Sequence, residues 1–84
     1  MSNVTVYTTE RCPYCVRVKG LLTAKGIEFD EVHLPMDPAG REELVKRTGM
    51  MSFPQVFVGE QLIGGFNEVQ RAVADGRLDE LLAA

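Results

Sequence analysis

Val4-Thr5-Val6-Tyr7-Thr8-Thr9-Glu10-Arg11-Cys12-Pro13-Tyr14-Cys15 decides the reading of this chain. Residues 3 to 8 carry the β-branched run of a strand. Pro13 suits the first position of a helix, where a missing N–H costs nothing. The pair Cys12 and Cys15, the only cysteines in 84 residues, therefore falls at a strand-to-helix junction. A Cys-x-x-Cys at such a junction reads as a redox-active dithiol. The partial positive charge of a helix N-terminus lowers the pKa of a thiol placed there.

Working outward, Cys12 takes the N-cap, near unpaired helix N–H groups, with Arg11 as a neighbouring cation. It is the expected nucleophile, with a pKa below the free value of about 8.5. Cys15, at i+3, lies on the same helix face, is expected to be less exposed, and would act as the resolving thiol. A zinc site is the other use of paired cysteines. Two cysteines and one histidine do not fill a tetrahedral zinc sphere without a second chain or a carboxylate, so no metal is expected.

The rest of the chain divides cleanly. The first helix runs to about Lys25 and stops at Gly26, with Cys15, Val18, Leu21 and Leu22 as its buried stripe. Ile27 to Leu34 reads as a second strand, with Ile27, Phe29 and Glu31 on one face. Asp37-Pro38 is an N-cap followed by proline and Gly49 a C-cap, enclosing a polar helix with Leu44 and Val45. Gln55–Val58 and Gln61–Gly64 flank Gly59-Glu60, a hairpin turn of type II′. Asn67 and Gln70 form a capping-box pattern for the next helix, which ends at Gly76. Leu78, Leu81 and Leu82 make a last amphipathic turn or two. The order β-α-β-α-β-β-α predicts an α/β sheet with helices on its faces, its first β-α-β unit parallel and right-handed.

Composition narrows the function. The chain is 45% apolar and 25% charged with net charge −3, which fits one small globular domain over residues 1–84 and argues against nucleic acid as partner. No apolar run has membrane-spanning length. Met1-Ser2-Asn3 lacks the basic and apolar regions of a signal peptide, so a cytoplasmic location is expected, where thiols are kept reduced. Residues 11 to 25 carry Arg11, Arg17, Lys19 and Lys25 and no acid. This is either a solvated helix face or a positive field favouring a thiolate and an anionic substrate.

Two further features have two readings each. Pro54, in Ser52-Phe53-Pro54, is a strand-entry proline or a cis proline holding a backbone edge beside the thiols. Gly64-Gly65 is a tight turn or also an anion site at a helix start. Phe66 is read as partly buried and Tyr14 as an exposed contact surface. His33 is read as structural.

Cys12-Pro13-Tyr14-Cys15, Ser52-Phe53-Pro54 and Gly64-Gly65 together resemble the dithiol glutaredoxins, over essentially the whole chain from Val4 to Leu82. Arg41-Glu42-Glu43 and Lys46-Arg47-Thr48-Gly49 are similar to the bacterial glutaredoxin 3 type. The resemblance implies a thioredoxin fold with a four-stranded mixed sheet of order 2-1-3-4 and a cis peptide before Pro54. It implies glutathione as co-substrate, with no permanently bound cofactor, in a groove of Arg11, Tyr14, Ser52, Phe53 and Pro54. The backbone of Phe53 would pair with the tripeptide cysteine, and the turn Gly65-Phe66-Asn67 would take its γ-glutamyl end. Disulfide-containing proteins, ribonucleotide reductase among them, would be the macromolecular partners of a monomeric protein.

The chain departs from that pattern at Thr9, often lysine, at Met50 and Met51, often basic, at Ser52 and Phe53, where the family usually has Thr-Val before the proline, and at Asn67, often aspartate. Gly65-Phe66 is also similar to the NrdH-type redoxins, which donate electrons to ribonucleotide reductase and are recharged by thioredoxin reductase. An iron–sulfur carrier, with Cys12 and glutathione from two chains around a cluster, is the third function the family offers.

Overall fold

The computed structural model describes residues 3–83. Met1 and Ser2, on which the signal-peptide reading rests, and Ala84 lie outside the described residues. The elements are β1 (Val4–Thr8), α1 (Pro13–Ala24), β2 (Asp30–His33), α2 (Pro38–Thr48), β3 (Gln55–Val58), β4 (Gln61–Gly64), α3 (Phe66–Ala74) and α4 (Arg77–Ala83). The four strands form one sheet in the order β2-β1-β3-β4. β1 pairs parallel with β2 and antiparallel with β3, and β3 pairs antiparallel with β4.

Strand alternation builds the core. Val4, Val6 and Thr8 of β1 are buried, while Thr5 and Tyr7 between them are half-buried on the other face. Val56 and Val58 of β3 join Val4 and Val6, and α1 and α3 add Val18, Leu22, Val69 and Ala72. Burying each Val or Leu contributes about 1.5–3 kcal/mol relative to leaving it exposed. Leu78 of α4 closes the cluster. No helix among the described residues is long and apolar enough to cross a membrane.

Local caps set most boundaries. Asp37 caps α2, its Oδ1 accepting from the Gly40 N–H at 2.7 Å, and Gly49 ends the helix in the left-handed region. Leu44 is buried whereas Val45 is exposed. At the hairpin, positive φ falls on Gly59 and not on Glu60, which is the type II′ pattern. In α1, Cys15, Val18 and Leu22 are buried and Leu21 is only half-buried.

Three expectations need correction. β2 starts at Asp30, not Ile27. The ladder with β1 begins where Asp30 pairs with Thr5. Ile27 and Phe29 instead pack on the core from a non-strand segment. The cap of α3 is Gly65, not Asn67, which lies inside the helix. Gly64 turns the chain at φ 125°, and Glu68, not Gln70, reaches back to the Gly65 N–H at 2.7 Å. The last leucines form a helix of their own, so the order ends α3-α4.

Candidate active site

The loop after β1 delivers the cysteine pair. Thr9 is buried and its hydroxyl donates to the Leu34 carbonyl at 2.8 Å, tying the loop to the segment after β2. This position, where a lysine would have supplied charge, serves structure here. Arg11 has φ 54°. A non-glycine residue in the left-handed region costs on the order of 1 kcal/mol, and here it turns the chain into α1.

Cys12 is the N-cap of α1, in extended conformation, with Pro13 next. Its Sγ accepts from the Cys15 N–H at 3.2 Å, and its carbonyl accepts from Cys15 at 3.1 Å and Val16 at 3.2 Å. A thiolate there meets a helix N–H and the positive end of the helix dipole, which favours the charged form. Cys12 and Cys15 are joined as a disulfide with Cα atoms 5.2 Å apart. Cys12 is half-buried, and Cys15 is 2% exposed. The asymmetry expected between attacking and resolving positions is present.

One side of Cys12 opens into a groove that runs past Tyr14, Ser52 and Phe53. It continues beside Pro54, Gly65, Phe66 and Asn67. The exposed Tyr14 ring packs against half-buried Phe66 at 5.8 Å, and the Arg17 guanidinium lies 5.2 Å from the Tyr14 ring centre. The Phe53–Pro54 peptide is cis. Every residue assigned to the groove from the sequence therefore lies along it, from Arg11 at one end to Asn67 at the other. Between them the grooves also take in Met36, Arg41 and Gln55, which sequence reasoning had not assigned to the site. Buried Gln55 donates from Nε2 to the Ser52 carbonyl at 2.9 Å and so braces the Ser52–Pro54 edge.

A second groove opens on the other side of the disulfide, where Cys12 and Cys15 meet Lys19, Glu31 and His33. Lys19 lies one turn from Cys15 at i+4, a spacing that was visible in the sequence. Its Nζ donates to Glu31 Oε2 at 3.0 Å, and the Thr8 hydroxyl donates to the same oxygen at 2.6 Å. His33 Nδ1 is 3.4 Å from that hydroxyl, which ties it into this network.

The Thr8 hydrogen bond, then Lys19, hold the Glu31 carboxyl below its usual pKa of 4.5. A carboxyl lowered by folding stabilises the protein above its unfolded pKa, and that gain is lost as pH falls through the lower folded value. Glu31→Gln is therefore expected to be less stable than the parent at pH 7, by under about 1 kcal/mol for a surface pair. The difference should shrink as pH falls below the usual carboxyl range. Urea denaturation of both proteins at pH 7 and below that range checks it.

A half-buried cysteine capping a helix and a buried cysteine one turn on, at the end of the central strand of a 2-1-3-4 sheet, define a thioredoxin-fold thiol–disulfide oxidoreductase. The glutaredoxin family model matches residues 4–63. Glutaredoxin 3 of Escherichia coli strain K12 is 46% identical over 82 residues, covering 98% of this chain and 99% of that one. The glutaredoxin of Pseudomonas aeruginosa is 40% identical over the full length of both. Among solved structures, the glutaredoxin of Brucella melitensis superposes with a TM-score of 0.80 at 41% identity, covering 98% of this chain and 89% of that one. A buckwheat glutaredoxin–glutathione complex superposes with a TM-score of 0.83 at 30% identity, covering 98% and 77%. The chain belongs to the glutaredoxin family.

Proposed function

We propose that this protein is a glutathione-dependent disulfide reductase that acts as a single-domain monomer in a reducing cytoplasm. The observation that carries the reading is the position of the Cys12 sulfur. It sits at a helix N-terminus, at one end of a groove whose other end is a second helix N-terminus. Glutathione is an extended tripeptide with a thiol at its centre and carboxylates at both ends, so this layout suits it. The likeness to a glutaredoxin solved with glutathione supports the same assignment.

In the proposed cycle the Cys12 thiolate attacks the glutathionyl sulfur of a mixed disulfide. The substrate sulfur leaves as a thiolate and takes a proton from solvent. A second glutathione thiolate then attacks the glutathionyl sulfur on Cys12. Glutathione disulfide forms and the Cys12 thiolate is restored. With a protein disulfide, Cys12 bonds one sulfur and the other leaves. Cys15, as thiolate, attacks the Cys12 sulfur and releases the reduced protein. The resulting Cys12–Cys15 disulfide, the state seen in the structure, is reduced by two glutathiones.

In this reading Arg11, Tyr14, Ser52, Phe53 and Pro54 hold the cysteinyl part of glutathione, and Gly65, Phe66 and Asn67 its γ-glutamyl end. The test couples reduction of a small glutathione mixed disulfide to glutathione, glutathione reductase and NADPH. Turnover with that system is expected, and far slower turnover when thioredoxin reductase replaces glutathione and its reductase. Asn67→Asp should lower the KM for glutathione, because a charge-assisted bond to its amine is roughly twice as strong as a neutral one. Faster recharging by thioredoxin reductase would overturn the reading in favour of a redoxin of the NrdH type.

A further inference from the structure

Among the described residues the exposed large apolar side chains are Tyr14, Val16, Met36, Val45, Met50 and Met51. Tyr14, Val16, Met36 and Met51 line the two grooves that hold Cys12, and Met50 lines the continuation of one of them. Met51 is the extreme case at 81% exposed. Scattered apolar residues on a surface need no explanation, but a cluster around one reactive sulfur does. Met36 and Met51 share the groove of about 400 Å³ beside Cys12 with Arg11 and Arg41. Neither arginine has an ion pair among the described residues, and no carboxylate lines this groove. The wall beside the nucleophile is thus apolar and cationic at once.

What covers this wall follows from the reaction. Thiol–disulfide exchange brings the partner's sulfur to Cys12, so the partner's residues flanking that sulfur must lie on it. Methionine side chains are flexible and adapt to varied aliphatic shapes. Unpaired arginines select carboxylates. We propose that Met36 and Met51, with Arg11 and Arg41, dock an extended polypeptide segment in which the attacked cysteine is flanked by a large aliphatic residue and an acidic one. This deepens the function proposed above and rests on Cys12 being the attacking thiol. The favoured substrates are protein disulfides in aliphatic, acidic surroundings.

The test uses four short peptides with a central cysteine capped by 2-nitro-5-thiobenzoate: Leu-Cys-Glu, Ser-Cys-Glu, Leu-Cys-Lys and Ser-Cys-Lys. Attack of Cys12 on the peptide sulfur releases the coloured thiolate, a good leaving group because of its low pKa. Leu-Cys-Glu should react about tenfold faster than Ser-Cys-Glu, the gain from partly burying one leucine. Glu should be favoured over Lys by about threefold. In the double variant Met36→Ser/Met51→Ser the leucine preference should collapse while the glutamate preference stays. In Arg41→Glu the glutamate preference should be lost. These three residues are exposed, so their replacement leaves the core intact.

Binding of the same peptides with serine for cysteine, read by fluorescence anisotropy, isolates docking from chemistry and should give the same ranking. Equal binding of all four peptides, or variants that keep both preferences, would overturn the docking proposal even where exchange proceeds. Ranked binding without release of the thiolate would uphold docking and overturn the assignment of Cys12.

Discussion

Cys12→Ser is expected to abolish reduction of both glutathione mixed disulfides and protein disulfides. The other thiol, Cys15, is 2% exposed and cannot meet a substrate sulfur without opening the start of α1. An oxygen at position 12 gains little from the helix N-terminus, because a serine hydroxyl stays protonated at neutral pH. Cys15→Ser should behave differently. In the proposed cycle glutathione attacks the single mixed disulfide on Cys12, so turnover of small glutathione mixed disulfides should persist. Protein disulfides, which need an internal thiol to expel the bound substrate, should be reduced far more slowly. Initial rates of both variants on both substrate classes check this. Equal loss in Cys15→Ser would show that glutathione does not resolve the intermediate.

The largest effect on stability is expected at Gly40. It is the third residue of α2, and a Cβ there would lie 1.8 Å from the Pro35 carbonyl oxygen and 2.8 Å from the Pro35 carbonyl carbon. Both are backbone atoms, so no rotamer change relieves the clash. Gly40→Ala gains about 1 kcal/mol of helix propensity, but overpacking against backbone costs about 1–3 kcal/mol and sometimes more. An approach of 1.8 Å to a backbone atom puts the cost at the upper end, about 3 kcal/mol, so a net loss of about 2 kcal/mol follows. Gly20 supplies the control. It sits inside α1 with nothing within 4 Å of its would-be Cβ, so Gly20→Ala should stabilise by up to about 1 kcal/mol. Urea denaturation of the two variants should give opposite signs. Gly40→Ala should also lower activity, because α2 carries Arg41 and the segment before it carries Met36, both on the wall beside Cys12. A Gly40→Ala protein as stable as the parent would contradict this account of how α2 is seated.

Much of this architecture was legible in the sequence because it is set locally. Pro13 after Cys12, Asp37 before Pro38 and Gly49 after Thr48 fix helix ends through their own side chains and φ values. The alternation of Val4, Val6, Val56 and Val58 reports burial one residue at a time. What was misread depends on partners distant in sequence. The start of β2 is decided by where its ladder with β1 begins, and the cap of α3 by Glu68 folding back onto Gly65. The groove shows the same division. Its residues near the cysteines and Pro54 were found from motifs. Met36, Arg41 and Gln55 join it only through the packing of α2 and β3, and the Lys19–Glu31–His33 network only through the pairing of β1 with β2.

The N-terminal end of α1 is expected to activate Cys12 and leave Cys15 protected. The direct measurement is the alkylation rate of each cysteine in the reduced protein by iodoacetamide as a function of pH, resolved by peptide mass. Cys12 should be modified first, with a midpoint clearly below the value of about 8.5 for a free thiol, while Cys15 stays largely unmodified across the same range. Equal rates at the two cysteines, or a Cys12 midpoint at that of an unstructured peptide, would contradict the account.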